Sequence, residues 1–238
     1  MLNFSQYSAL TFDCYGTLID WEGGILSALR PLVTAQGISL SDEILLETYG
    51  ELEAAQEAGE FQSYRAILRG VVGGFGERYG FAVNEPVQNA LVDSFEKWLP
   101  FPDTVEALAR LAKRFSLNVI SNVDDDLFAL SAQHLKADFR NVVTAQRVGN
   151  YKPKFRNFEV ALQTISLPKE RVLHVAQSLY HDIAPANHLG IASVWVNRRY
   201  GQKGTGATPP TNAAPDLEVP DLKTLADLVD EELGRQRP

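Results

Sequence analysis

The chain has 238 residues, 45% hydrophobic and 22% charged, as in an ordinary globular protein near the length at which one core divides in two. Its formal net charge of -8 sets the overall field against DNA, RNA and anionic lipid, so a small anion would have to be captured by a local cluster of cations. The single cysteine, Cys14, excludes an intrachain disulfide, the first residues lack a basic leader, and no stretch approaches about 18 apolar residues; these features predict a cytoplasmic protein with no membrane or nucleic-acid partner.

In chain order, Ser8 to Asp13 is a short apolar run that stops at a carboxylate and is followed by Gly16 and Thr17, the pattern of a buried strand entering a loop. From about 22 to 98 the apolar residues recur at helical spacing, in Ile25-Leu26-Leu29-Leu32-Val33, Ile44-Leu45-Tyr49-Leu52, Tyr64-Ile67-Leu68-Val71 and Val87-Leu91-Phe95. Pro100 and Pro102 end this helical insert. Asp103 then suits the cap of a helix from Thr104 to Lys113. Strands are predicted at 117–120, 141–144, 172–175 and 192–196, with helices at 127–134, 155–164 and 183–188 between them. A loop, Gln146 to Tyr151, precedes Lys152. Residues 201–215, rich in Gly, Thr, Pro and Ala, read as an exposed loop, and Leu222 to Leu233 as a final amphipathic helix. Alternation of strand and helix predicts a mostly parallel sheet covered on both faces.

Four polar clusters follow predicted strands: Asp13 to Thr17, Ser121-Asn122, Lys152, and Gln177 to Asp182. Ligands of open α/β sheets bind outside the carboxyl ends of the strands, so these clusters are expected to share one site. Two carboxylates, a hydroxyl with an amide, and an ammonium suit nucleophilic displacement. Each residue also has a plainer reading. Asp13 suits a turn, Asp182 a helix cap, Lys152 a solvated loop, and Ser121 and Asn122 an ordinary turn after a strand. His174, His181 and His188 are seven apart, but strand, loop and helix separate them and no metal motif matches, so no metal site is expected.

The segments Phe12-Asp-Cys-Tyr-Gly-Thr-Leu18, Val119-Ile-Ser-Asn122, Gly149-Asn-Tyr-Lys-Pro153 and Val175-Ala-Gln-Ser-Leu-Tyr-His-Asp182 resemble, in order and spacing, the four motifs of the haloacid dehalogenase superfamily. The resemblance spans roughly residues 8 to 200. It implies a three-layer, Rossmann-like α/β core from residues 1–20 and 99–238, with residues 21–98 inserted as a helical cap. It further implies that Asp13 is a nucleophile forming an aspartyl ester that water hydrolyses. Lys152 would hold Asp13 ionised, with Thr17 and Ser121 steadying carboxylates and Asp182 orienting Lys152 or the water. Tyr15, Asn122, Gln177, Ser178, His181, Phe61 and Arg65 are the expected substrate-binding residues.

Departures from the family's phosphatases set the expected branch. Their second aspartate, a general acid two residues after the nucleophile, is here Tyr15, and a phenol of pKa about 10 is a poor donor to an alkoxide. A halide leaves without protonation. Their Mg²⁺-facing aspartate in the fourth motif is here Gln177, which leaves fewer of the carboxylates that hard cations prefer. The first motif resembles the 2-haloacid dehalogenase branch in particular, which implies a small 2-haloacid substrate bound by its carboxylate, no cofactor, and a monomer or homodimer. Those dehalogenases carry an arginine on the first cap helix. Glu47 to Glu53 has none, and Gly50 falls at its place, leaving Arg65 and Arg69 as possible replacements. The rival readings are a Mg²⁺-dependent small-molecule phosphatase and a non-catalytic binding protein on the same scaffold.

Overall fold

A computed structural model describes residues 2–202, 204 and 206–235. Six strands, β1 Ala9–Phe12, β2 Ser116–Ser121, β3 Asn141–Thr144, β4 Val172–Ala176, β5 Ala192–Val196 and β6 Leu217–Val219, form one parallel sheet in the order β3-β2-β1-β4-β5-β6. The chain leaves β1 toward both sides of the sheet, so the strand order reverses there and a crevice opens at its carboxyl end. Register brings Phe12 level with Val119 and Val175, so the loops after β1, β2 and β4 begin side by side.

Strand alternation divides the sheet's two faces. Leu10, Phe12, Leu117, Val119, Leu173 and Val175 join the main apolar core, whereas Ile120 and Val143 pack with Phe158, Ala161 and Ala186 in a second cluster. On that second side Thr11, Asn118 and His174 are also buried. Parallel sheets are covered on both faces, and burial costs a polar group only if it lacks a partner. Here Thr11 Oγ1 bonds His174 Nδ1 at 2.9 Å, and Asn118 donates to the Leu10 carbonyl.

The insert contains α1 Trp21–Ala35, α2 Asp42–Glu57, α3 Tyr64–Tyr79, α4 Glu85–Gln88 and α5 Ala90–Ser94, and no strand among the described residues. Asp20, Ser41 and Ser63 cap the first three helices by accepting from the backbone N–H groups of Gly23, Ile44 and Ala66. Their apolar faces meet through Ile25, Leu29, Leu45, Tyr49, Ile67 and Phe75. The core adds α6 Thr104–Leu111, α7 Asp125–Leu135, α8 Ala145–Val148, α9 Arg156–Ile165, α10 Ala184–Leu189 and α11 Leu222–Arg235.

Four expectations are corrected. Strand β6 is not expected from the sequence, because three residues in a polar context carry little periodicity. The segment before Lys152 includes the helical turn α8. Asp103 does not cap its own helix; its carboxylate takes Arg198 and the N–H of Leu222, capping α11 instead. The 201–215 segment is not wholly exposed: Gly206, Ala207 and Thr208 are buried, and the N–H of Ala207 donates to Glu22 on α1.

That buried turn explains Gly50. A Cβ at position 50 would stand 2.4 Å from the Ala207 carbonyl oxygen, so α2 and the 206–208 turn approach closely only over glycine. No longer side chain fits there without displacing the turn. Gly73 on α3 has nothing within 4 Å of the same construction. Gly50→Ala is therefore expected to cost about 1–3 kcal/mol by overpacking, and Gly73→Ala to add roughly 0.5–1 kcal/mol by removing chain entropy from the unfolded state. Denaturant midpoints check this; a neutral Gly50→Ala would contradict the close approach.

Candidate active site

Asp13 is the first residue beyond β1 and 7% exposed, at the crevice. Gly16, at φ +91°, makes the turn that returns Thr17 beneath it: a Cβ there would come within 2.8 Å of the Trp21 indole nitrogen. Thr17 Oγ1 donates to Asp13 Oδ2 at 2.8 Å and accepts from the N–H of Gln177 at 2.8 Å, which ties the β1 loop to the β4 loop. Lys152 Nζ donates to Asp13 Oδ1 at 2.8 Å, to Asp182 Oδ1 at 2.7 Å and to the Ile120 carbonyl at 3.1 Å. All three ammonium protons have partners. Lys154, the neighbouring lysine, is exposed.

Asn122 positions that lysine. Its side chain accepts from the N–H of Lys152 at 2.7 Å and donates to the carbonyl of Lys152 at 3.0 Å. On the far side, His174 Nε2 contacts Asp182 Oδ1 at 3.0 Å, so a Thr11–His174–Asp182 chain supports the pair from inside the sheet. Asp182 therefore serves as a buried counter-charge and not as a helix cap. Burial favours its neutral form, but Lys152 and His174 outweigh that and hold it below the ordinary carboxylate range. Burial pushes Asp13 up, and the charge of Asp182 adds to this against the pull of Lys152 and Thr17. Burial would likewise lower Lys152, yet the two carboxylates prevail and raise it. Asp182 is the firmly ionised partner and Asp13 the more basic carboxylate.

The cavity above Asp13 measures about 30 Å³, room for about two waters. Tyr15, Asn122, Lys152, Gln177, Ser178, His181 and Asp182 line it, as the sequence suggested they would share one site. Tyr15 contributes its ring, packed on Phe95 and Trp98, while its hydroxyl bonds Ser131 at 2.9 Å. Ser178 Oγ accepts from the N–H of His181 and contacts its Nδ1 at 3.1 Å. Burial lowers His181 to about 4, so the imidazole is neutral at neutral pH. Ser121 is fully buried at the end of β2 with its hydroxyl unpartnered, and it is not among the lining residues.

Two expected residues lie elsewhere. Phe61 is 40% exposed and packs on Tyr151, outside the cavity lining. Arg65 turns outward to Asp126 at 2.7 Å, and Arg69 to Asn89. Both belong to the outer side of α3 because Asp124 of the core accepts from the N–H groups of Tyr64 and Arg65, fixing how that helix begins. The same contact sets Tyr64, not Phe61, over the cavity. Trp21, Thr208, Glu53 and Glu57 complete the lining, and none was singled out from sequence. Glu53 and Glu57 are one helical turn apart on α2, so one face presents both. Tyr49 and Tyr64 each donate to Glu53 Oε1, at 2.8 and 2.6 Å. Asn122 donates to Glu57 Oε1 at 3.3 Å.

The donor set does not fit Mg²⁺. Gln177 is neutral, both oxygens of Asp13 already accept, and no group of three His, Cys, Asp or Glu able to hold a metal occurs among the described residues. Lys152 supplies the positive charge between Asp13 and Asp182. Lys152→Met would leave two buried carboxylates facing each other, at a cost of about 3–5 kcal/mol. The loss should be largest above neutral pH and shrink in acid, where the uncompensated pair takes up protons. Urea denaturation of both proteins across pH tests this; a pH-independent difference would mean that Lys152 acts by packing alone.

An (S)-2-haloacid dehalogenase of Pseudomonas putida is 26% identical over 222 residues, covering 92% of this chain and 96% of its own. A glyceraldehyde 3-phosphate phosphatase of Methanothermobacter thermautotrophicus is 28% identical over 199 residues, covering 79% of this chain and 85% of its own. The structure of an L-2-haloacid dehalogenase from Xanthobacter autotrophicus with chloropropionic acid covalently bound superposes with a TM-score of 0.77 at 20% identity, covering 94% and 98% of the two chains, a likeness of fold. The haloacid dehalogenase-like hydrolase model matches residues 7–190, and the chain belongs to that family of hydrolases.

Proposed function

We propose that this hydrolase displaces a halide from carbon with the carboxylate of Asp13, without a metal. The observation that carries the reading is the Lys152 ammonium, bonded to Asp13 Oδ1 while Thr17 holds Oδ2, beneath a cavity with no acid at position 15. Asp13 attacks the halogen-bearing carbon; its C–O bond forms as the carbon–halogen bond breaks, and the electron pair leaves on the halide. A water held by Asp182, beside His181 and Gln177, then attacks the acyl carbon of the ester. The alcohol leaves, Asp13 is restored, and one proton passes to solvent. Tyr15 suits this chemistry: burial raises its phenol further, its hydroxyl faces Ser131, and a halide needs no proton.

The cavity is too small for a haloalkanoic acid, so residues 21–98 must move as a cap to admit one and then exclude bulk water. The 2-haloacids named for the dehalogenase relatives are the reference substrates. The phosphatase reading has a relative in its favour, but the neutral Gln177 stands where the cation that neutralises a phosphoryl group would need a carboxylate.

Chloride release from a panel of small organic chlorides, 2-chloropropionate included, should be unchanged by EDTA, and Asp13→Ala should lower kcat by at least about 10³-fold. EDTA-sensitive hydrolysis of p-nitrophenyl phosphate would overturn the dehalogenase reading. Activity should fall as pH drops through the ionisation of Asp13, with an apparent midpoint above the ordinary aspartate value of about 3.9, because burial raises it. An acid limb well below that value would place the titrating group elsewhere.

A further inference from the structure

The cavity offers acceptors where an anionic substrate would need donors. Four carboxyl groups line it, Asp13 and Asp182 from the core and Glu53 and Glu57 from α2. Among the described residues Lys152 is the only Lys or Arg lining it, and its three protons are already committed to Asp13, Asp182 and Ile120. Arg65 and Arg69 face outward. His181 is neutral. Gly50 cannot give way to a cation, because the Ala207 carbonyl occupies the space beside it. An independent sign is Asp182 Oδ2, buried without a partner in a residue that lines the same cavity. Among the described residues, a substrate carboxylate placed here would meet other carboxyl groups and no free ammonium or guanidinium.

The geometry points to a substrate that carries a protonated amine, held by Glu53 and Glu57 while Asp13 attacks its halogen-bearing carbon. This rests on the Asp13 displacement proposed above and names the second group of its substrate. Glu53 is pre-oriented: Tyr49 and Tyr64 both donate to Oε1. Glu57 has the amide of Asn122 at 3.3 and 3.5 Å and His181 Nε2 at 3.8 Å, long contacts that a cationic nitrogen would replace with charge-assisted ones. The step balances as before: the carbon exchanges halide for the Asp13 oxygen, then for hydroxide from water, and the amine keeps its proton.

The linkage to pH has a definite sign. Burial raises Glu53 to about 7 against the donors Tyr64 and Tyr49. Burial, then the charge of Glu53, pushes Glu57 well up, while Lys152, Asn122 and Lys154 pull it down. His181 and Tyr151 also face this pair from the core. A bound cation favours the ionised glutamates, so its affinity must rise with pH through that range and hold until the amine itself deprotonates near about 10. A bound carboxylate would favour protonated glutamates acting as donors, and its affinity must fall over the same range.

Isothermal titration of the full-length protein with propylammonium and with propionate, at about pH 6 and pH 8, separates the two. Between those values a group of pKa about 7 changes its ionised fraction roughly tenfold. Propylammonium should bind about tenfold tighter at the higher pH, and Glu57→Gln should weaken it at least tenfold. In turnover, 3-chloropropylammonium should show a lower KM than 2-chloropropionate. Preferential binding of propionate with affinity falling as pH rises overturns the inference, as does binding of neither probe; both comparisons use the wild-type chain and stand even if Glu57→Gln fails to fold. Chloride release from 2-chloropropionate alone, lost in Asp13→Ala, would sustain the displacement reading and overturn this one. Propylammonium binding with the predicted pH dependence, without chloride release from any chloride, would do the reverse.

Discussion

The site depends on one ammonium buried between two carboxylates. Lys152 is 2% exposed, and removing three charged groups from water would be prohibitive without close pairing. The sheet provides that pairing because its order reverses at β1. Asp13 ends β1, the Ile120 carbonyl comes from β2, and Asp182 lies beyond β4. Lys152 comes from the segment after β3, clamped at both backbone atoms by Asn122. Thr11 and His174, inside the sheet, support Asp182 from behind. The ammonium thus has a partner for each of its protons, and both carboxylates share its charge.

The helical insert answers a different constraint. The Asp124 carboxylate, which accepts from the first N–H groups of α3, and the Tyr151 hydroxyl, which donates to the Gln62 carbonyl, fasten the insert to the core. Aromatic contacts of Phe61 and Tyr64 with Tyr151 accompany these polar ones. The 206–208 turn closes a further side against Gly50 and Glu22. The inward face of α2 carries Glu53 and Glu57, one and two turns beyond Tyr49. The chemistry of the core and the polarity of the cap are thus separable properties of one fold.

How much of this was legible in the sequence follows from how local each signal is. Strands β3 and β5 and the helical character of 21–98 rest on periodicity, and their expected and observed spans agree closely. Asp13, Thr17, Lys152 and Asp182 sit in short motifs at strand ends, so their convergence was readable. Arg65 faces away because helix phase decides direction, and that phase is set by Asp124, about sixty residues away; Phe61 lies in the loop before α3, where no periodicity fixes a direction. Glu53 and Glu57 left a trace that went unread: the buried stripe through Leu45 and Tyr49 continues at the same four-residue step onto both glutamates. His174 and the buried 206–208 turn had no local signal, since their partners come from distant segments.

An Asp13 nucleophile must pass through a covalent ester. The most direct measurement is mass spectrometry of the peptide containing Asp13 after multiple turnovers in ¹⁸O-water, using whichever organic chloride releases chloride most readily. Attack by Asp13 followed by hydrolysis at its acyl carbon leaves ¹⁸O in the aspartate, and the first turnover delivers unlabelled oxygen to the alcohol. Label in the product from the first turnover, with none in Asp13, would mean that water attacks the substrate directly and would contradict the role assigned to the Lys152–Asp13 pair.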